Sequence, residues 1–195
     1  MTQFFEDKKE LLLFFAVVIC FILFLGNFFI TGKITSVDTP SNVSVSKYLA
    51  ISFGTNLAQG IQFGTVSFLP ATNINATHNY DGASTGTTYT IDVSTDSNSQ
   101  VDFCIKANAG LTSAALDVIG LGNETYSALN LTDSTHPLLS NKTAMTTSYV
   151  KSYASSIVPG NSSYWRFWLD IPSAQPSGDY NNSVSFEGVT SGSIC

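Results

Sequence analysis

Two histidines, His78 and His136, and three cysteines, Cys20, Cys104 and Cys195, are the side chains of this 195-residue chain best suited to metal binding or nucleophilic chemistry. Their spacing argues against both. The histidines lie far apart, and neither has a neighbouring His or Cys at the short intervals of a zinc site. No Gly-x-Ser-x-Gly elbow or phosphate-cradling glycine loop occurs, and Gly120-Leu121-Gly122 lacks the downstream pattern of a dinucleotide site. The abundance of serine makes a Ser-His-Asp argument from sequence empty. Asp92 to Asn98 (DVSTDSN) offers oxygen ligands at odd spacings. Without the Gly and terminal Glu of an EF-hand loop it reads as an Asx-rich turn. Neither catalysis nor a cofactor is expected.

The chemistry the sequence does advertise is glycan attachment. Asn-x-Ser/Thr triplets begin at Asn42, Asn75, Asn123, Asn130, Asn141, Asn161 and Asn181. With fourteen Asn residues in the chain, chance would supply roughly three or four such triplets. The excess is about twofold, and several fall in expected turns or edges where a transferase could reach them. Covalent N-glycans are therefore expected at several of these sites.

All seven lie beyond an apolar segment. Leu11 to Ile30 (LLLFFAVVICFILFLGNFFI) is twenty residues without a charge, and a helix of that length spans roughly 30 Å of hydrocarbon. An uncleaved anchor is favoured over a secretory signal, whose apolar region is about 7 to 15 residues and ends at a small-x-small site not found after Ile30. Lys8 and Lys9 precede the segment and only Lys33 closely follows it, which biases the N-terminus to the cytoplasmic side. Leu13, Val17, Phe21 and Phe24 are the candidate helix-packing positions. Cys20 reads as an ordinary apolar residue within the span.

Composition agrees with an outward-facing domain. Charged residues are 11% and hydrophobic residues 44%, with a formal net charge of -6, so nothing would neutralise a run of phosphates and nucleic-acid binding is excluded. With 12% aromatics the chain can bury enough apolar surface to offset its entropy. On an extracellular face a Cys104–Cys195 bridge is favoured over two free or inter-subunit thiols.

The elements that must carry these groups are strands. Short runs of Val, Ile, Thr, Tyr and Phe alternate with Gly, Asn, Ser and Pro. They predict strands over Val43–Phe53, Ile61–Leu69, Thr87–Val93, Val101–Ala107, Thr125–Leu129, Thr146–Ile157, Tyr164–Ile171 and Tyr180–Val189. In the Tyr164–Asp170 run, Trp165, Phe167 and Leu169 share one face, while Tyr164, Arg166, Trp168 and Asp170 share the other. Trp168 on that second face, with Tyr164, is either a contact patch for a subunit or sugar, or is packed under a loop. The fold expected is mainly β: an immunoglobulin-like or jelly-roll-type antiparallel β-sandwich preceded by one N-terminal transmembrane α-helix. Residues 1–34 would be the tail and apolar helix, 35–46 a linker or edge strand, and 47–195 the extracellular sandwich.

The runs Ile61–Val66, Val101–Ala107 and Trp165–Pro172, followed by Gln175–Tyr180, resemble small archaeal cell-surface β-sandwich proteins. An apolar N-terminal helix leading into a Ser/Thr/Asn-rich sandwich is similar in architecture to archaeal type IV pilin-like subunits. One departure is that Lys8-Lys9-Glu10-Leu11 lacks the Gly or Ala that precedes cleavage in pilin leaders. The resemblance implies a structural, non-enzymatic role: a cell-surface filament or coat subunit that self-associates through its helix and displays its sandwich. The alternatives from residues alone are a monomeric membrane-tethered adhesin or ligand-binding module, and an envelope protein of a virus infecting such a host.

Overall fold

The computed structural model describes residues 9, 12–21, 40–80 and 86–195. Residues 1–44 and 45–195 form two separate compact units. In the first, residues 12–21 are α-helical. Among the described residues no helix is long and apolar enough to cross a membrane. The expected twenty-residue span is thus described only over 12–21, about 15 Å of helix; Leu11, Phe24 and the rest of 22–30 lie outside the described residues, as do residues 31–39.

The second unit is built from antiparallel strands: β1 (Ile51–Phe53), β2 (Ala71–Asn75), β3 (Tyr89–Val93), β4 (Val101–Ala107), β5 (Leu111–Ser113), β6 (Val118–Ile119), β7 (Glu124–Leu129), β8 (Thr143–Ala144), β9 (Val150–Lys151), β10 (Ser162–Ile171), β11 (Tyr180–Asn181) and β12 (Val184–Thr190). The largest sheet runs β1-β3-β10-β7-β8, a second runs β12-β4-β9, and a third runs β11-β5-β6. The ten-residue β10 organises the first. Its early residues pair with β3, its later residues pair with β2, and β7 lies along its opposite edge. Between β3 and β2 that edge needs other partners, because an unpaired buried amide costs about 1–3 kcal/mol. Asn79 supplies them: its fully buried side chain accepts from Phe167 N–H at 2.9 Å and donates to Phe167 C=O at 2.7 Å, in place of a strand residue.

The first two sheets enclose one core. From the large sheet come Tyr89, Ile91, Tyr126, Ala128, Trp165 and Phe167; from the β12-β4-β9 sheet come Val101, Phe103, Ile105 and Ala107, with Phe186 packed alongside. These are the period-2 positions of their strands. Trp165 is the centre, with Phe103, Tyr126, Phe167 and Phe186 rings 5.1–6.4 Å from its own. A smaller core of Leu111, Ile119 and Leu169 lies under the third sheet. This is a mainly β domain consistent with a β-sandwich.

Four expected strands differ, and one of them, Tyr180–Val189, divides into β11 and β12, which pair in different sheets. Ile61–Leu69 is not a strand: Ile61 and Phe63 still pack against the core, but Gly64 has a φ of +69°, a left-handed turn that breaks the extended run. The ladder forms instead over Ala71–Asn75, whose single large apolar residue gave little strand signal. Thr146–Ile157 shrinks to β9 and an isolated bridge from Ile157 to Val101, because the chain turns at Ser156, where φ is +56°. Val43–Phe53 shrinks to β1. Upstream of β1 the chain is held by side chains, with Asn98 Oδ1 accepting from Tyr48 N–H at 2.7 Å and Ser97 Oγ from Ala50 N–H at 3.0 Å. The Asp92–Asn98 segment therefore acts as a polar turn that pins the incoming chain.

Candidate functional site

The residues singled out in the sequence fall on three surfaces: helix 12–21, the sequon-bearing exterior, and the outer faces of β4 and β10. In the helix Leu13, Val17 and Phe21 are exposed, as are Leu12, Phe14, Phe15 and Ile19, with exposures from 55 to 73%. Apolar side chains all round a helix give it no solvent-facing side. Seven large apolar side chains are thus exposed on ten residues of helix.

Of the sequon asparagines, Asn42, Asn75, Asn130, Asn141, Asn161 and Asn181 are exposed and Asn123 is half-buried. The Asn75 side chain is held by two hydrogen bonds. Its Oδ1 accepts from Trp168 Nε1 at 2.8 Å and from Asn79 Nδ2 at 3.1 Å, which fixes the amide plane and leaves Nδ2, the atom that takes a glycan, without a hydrogen bond among the described residues. Asn123 is the least accessible, because Thr125, the hydroxyl residue of its triplet, is buried and donates to Trp168 C=O at 3.3 Å.

The outer face of β10 is covered. Trp168 is 2% exposed and Arg166 1%, so Tyr164 and Trp168 do not make an exposed aromatic patch. Over Arg166 the cover is residues 133–137. Asp133 turns this loop by accepting from the backbone N–H groups of Thr135 and His136, each at 2.7 Å, which hold its carboxyl below the usual carboxylate range. The turn aims three carbonyls at Arg166. The guanidinium donates to the C=O of Asp133, Thr135 and Pro137 at 2.6–3.2 Å and stacks 4.6 Å from the Tyr80 ring. Burial lowers the arginine pKa, partly opposed by Tyr80 and Asp133. A buried cation held by carbonyls and an aromatic face is a structural clamp.

The outer face of β4 is closed by residues 191–195. Cys104 and Cys195 are joined by a disulfide with a Cα–Cα distance of 5.9 Å. Two residues before Cys104, the Asp102 carboxylate accepts from Ser156 N–H at 2.7 Å, Gly192 N–H at 2.8 Å and Lys151 Nζ at 2.9 Å. Burial alone would raise its pKa; the Ser156 and Gly192 amides, with Lys151 and Ser191, outweigh burial and bring it down to about 2. A carboxyl depressed in the folded state contributes stability present above its unfolded value, near 3.8, and lost as pH falls through about 2. That shift corresponds to about 2 kcal/mol. Asp102→Asn should reduce the loss of stability between pH 4 and pH 2, measured as the urea midpoint across that range; an unchanged acid limb would show that Asp102 does not contribute to it.

Among the described residues no three His, Cys, Asp or Glu side chains converge at metal-binding distance. His136 Nδ1 meets the Asp133 carboxylate at 2.9 Å, and His78 stacks edge-on to Tyr89. One residue that sequence reasoning missed is Glu124. It was visible only as the middle of the Asn123 triplet, yet it is in phase with the core positions Tyr126 and Ala128 of β7 and is 1% exposed. A carboxyl on the inward face of a strand was the available signal.

The class these features define is a mainly β domain whose polar outer faces are closed by its own loops and carry surface sequons. No family model matches the chain, and no curated protein matches it. The functional reading therefore rests on the geometry.

Proposed function

We propose that this protein is a structural subunit of a glycosylated cell-surface filament or coat. Its N-terminal apolar segment is buried in the membrane or among copies of itself, and its β domain, an antiparallel sandwich of the immunoglobulin-like or jelly-roll kind, is displayed outside with N-glycans. The observation that carries this reading is the exposed apolar surface of helix 12–21. Burying a Leu, Val, Ile or Phe side chain contributes about 1.5–3 kcal/mol, so the described turns alone supply on the order of 10 kcal/mol for self-association or insertion. The same arrangement would serve a host coat or a viral envelope. A monomeric adhesin reading is weaker because Trp168, the main residue of its recognition patch, is covered.

Electron microscopy of the surface fraction tests this. Wild-type protein is expected in ordered filaments or arrays, and Leu13→Lys with Val17→Lys should abolish them while leaving the β domain folded. Arrays that survive both lysines, or dispersed wild-type particles that remain monomeric, would reject a subunit role.

A further inference from the structure

A cavity of about 890 Å³ lies where the two hydrophobic cores meet, between residues 60–69, residues 175–182 and the sheets. It is not a gap of packing size, since drug-sized ligands occupy clefts of roughly 300–1,000 Å³. Its walls combine Phe53, Leu57 and Phe186 beside the main core with Leu111, Ile119 and Leu169 of the smaller one. Glu124 also lines it. This carboxyl is 1% exposed, and its only side-chain partner among the described residues is Asn182, whose Nδ2 donates to Oε2 at 2.6 Å. Asn182 is itself steadied by donating to Ala109 C=O at 3.1 Å. One donor leaves most of the acceptor capacity of a carboxylate unused.

The charge of the lining is one-sided. Glu124 and Asp179 are both acidic, and among the described residues no Lys, Arg or His lines the cavity. Phe53, Phe63, Phe186 and Tyr180 add aromatic rings, whose faces attract cations. Burial raises the Glu124 carboxyl above the usual carboxylate range, and the Asn182 hydrogen bond opposes this by less. A buried acid in that condition is stabilised by a cationic donor brought in with its own apolar body.

We propose that this cavity is a binding site for a small hydrophobic primary amine, with the ammonium on Glu124 and the apolar body against Leu111, Ile119, Leu169 and the phenylalanines. An organic anion meets two acidic side chains there and, among the described residues, no counter-charge. A neutral alcohol gains the apolar contacts without the charge-assisted bond.

The test is isothermal titration of the full chain in mild detergent with 2-phenylethylamine, 2-phenylethanol and 3-phenylpropionate, with methyl NMR shifts of Leu111 and Ile119 followed in parallel. The amine should bind at one saturable site and shift both methyl groups, the alcohol at least about tenfold more weakly, and the propionate not measurably. Glu124→Gln keeps the size of the side chain and an oxygen to accept from Asn182, and should weaken amine binding about tenfold or more with an unchanged circular dichroism spectrum. Methyl shifts in the wild-type protein give a reading independent of that variant's folding. Absence of amine-induced shifts, equal binding of propionate, or unchanged amine affinity in a folded Glu124→Gln protein would each overturn the assignment.

Discussion

Trp165→Ala is expected to destabilise the β domain by about 4 kcal/mol, within the range for emptying a large aromatic site in a packed core. Trp165 has no exposure and sits among rings contributed by both main sheets. No neighbour can collapse into the space without leaving its own strand. Its indole N–H also donates to Ser163 Oγ at 2.9 Å, but that hydroxyl retains Ile91 C=O as an acceptor at 3.1 Å, so the lost hydrogen bond adds little. Against a typical domain stability of 5–15 kcal/mol, such a loss removes a large fraction. Urea unfolding followed by circular dichroism under non-reducing conditions measures it. A loss below about 2 kcal/mol would mean that the two sheets do not depend on this ring cluster.

Cys195→Ser should cost a similar amount by a different route. The bridge joins residues 91 apart, and in the chain-entropy account a closed loop of that length restrains the unfolded state by about 4.5 kcal/mol. The effect is coupled to Asp102. Residues 191–195 bring Gly192 N–H to the Asp102 carboxylate, so releasing Cys195 removes one of the donors that hold this buried charge. Asp102→Asn combined with Cys195→Ser should therefore be less destabilising than the two single costs added. Full additivity would show that the carboxylate holds its amide partners without the bridge. The wild-type protein should also lose this stability on reduction, and Cys195→Ser should not respond to reductant.

The two expectations differ in how far they can be read from the chain. Trp165 and Phe167 alternate with Arg166 and Trp168, and this alternation alone puts the first pair on one face; the structure places that face in the core. Alternation over Val101–Ile105 likewise puts Asp102 and Cys104 on the face opposite Phe103, the pattern of a half-buried strand. Here it ran out. Asp102, Cys104, Arg166 and Trp168 are all 3% exposed or less. Their cover comes from elsewhere: Gly192 reaches Asp102 across 90 residues, and Thr135 reaches Arg166 across 31. The candidate cavity is harder still, since its walls come from distant stretches of chain and its carboxyl is hidden inside a triplet that invites another reading.

What the sequence determined by itself is the mainly β character, the alternation within β3, β4 and β10, and the apolar surface of residues 12–21, because each depends on side chains a few positions apart on one stretch of backbone. Only the tertiary structure decided which face of a strand meets solvent, that Ile61–Leu69 packs as a loop rather than a strand, and that Glu124 faces a cavity. Strand periodicity is local, imposed by the pleat. Burial of the second face is set by where distant segments of the chain return, and no local pattern carries that information.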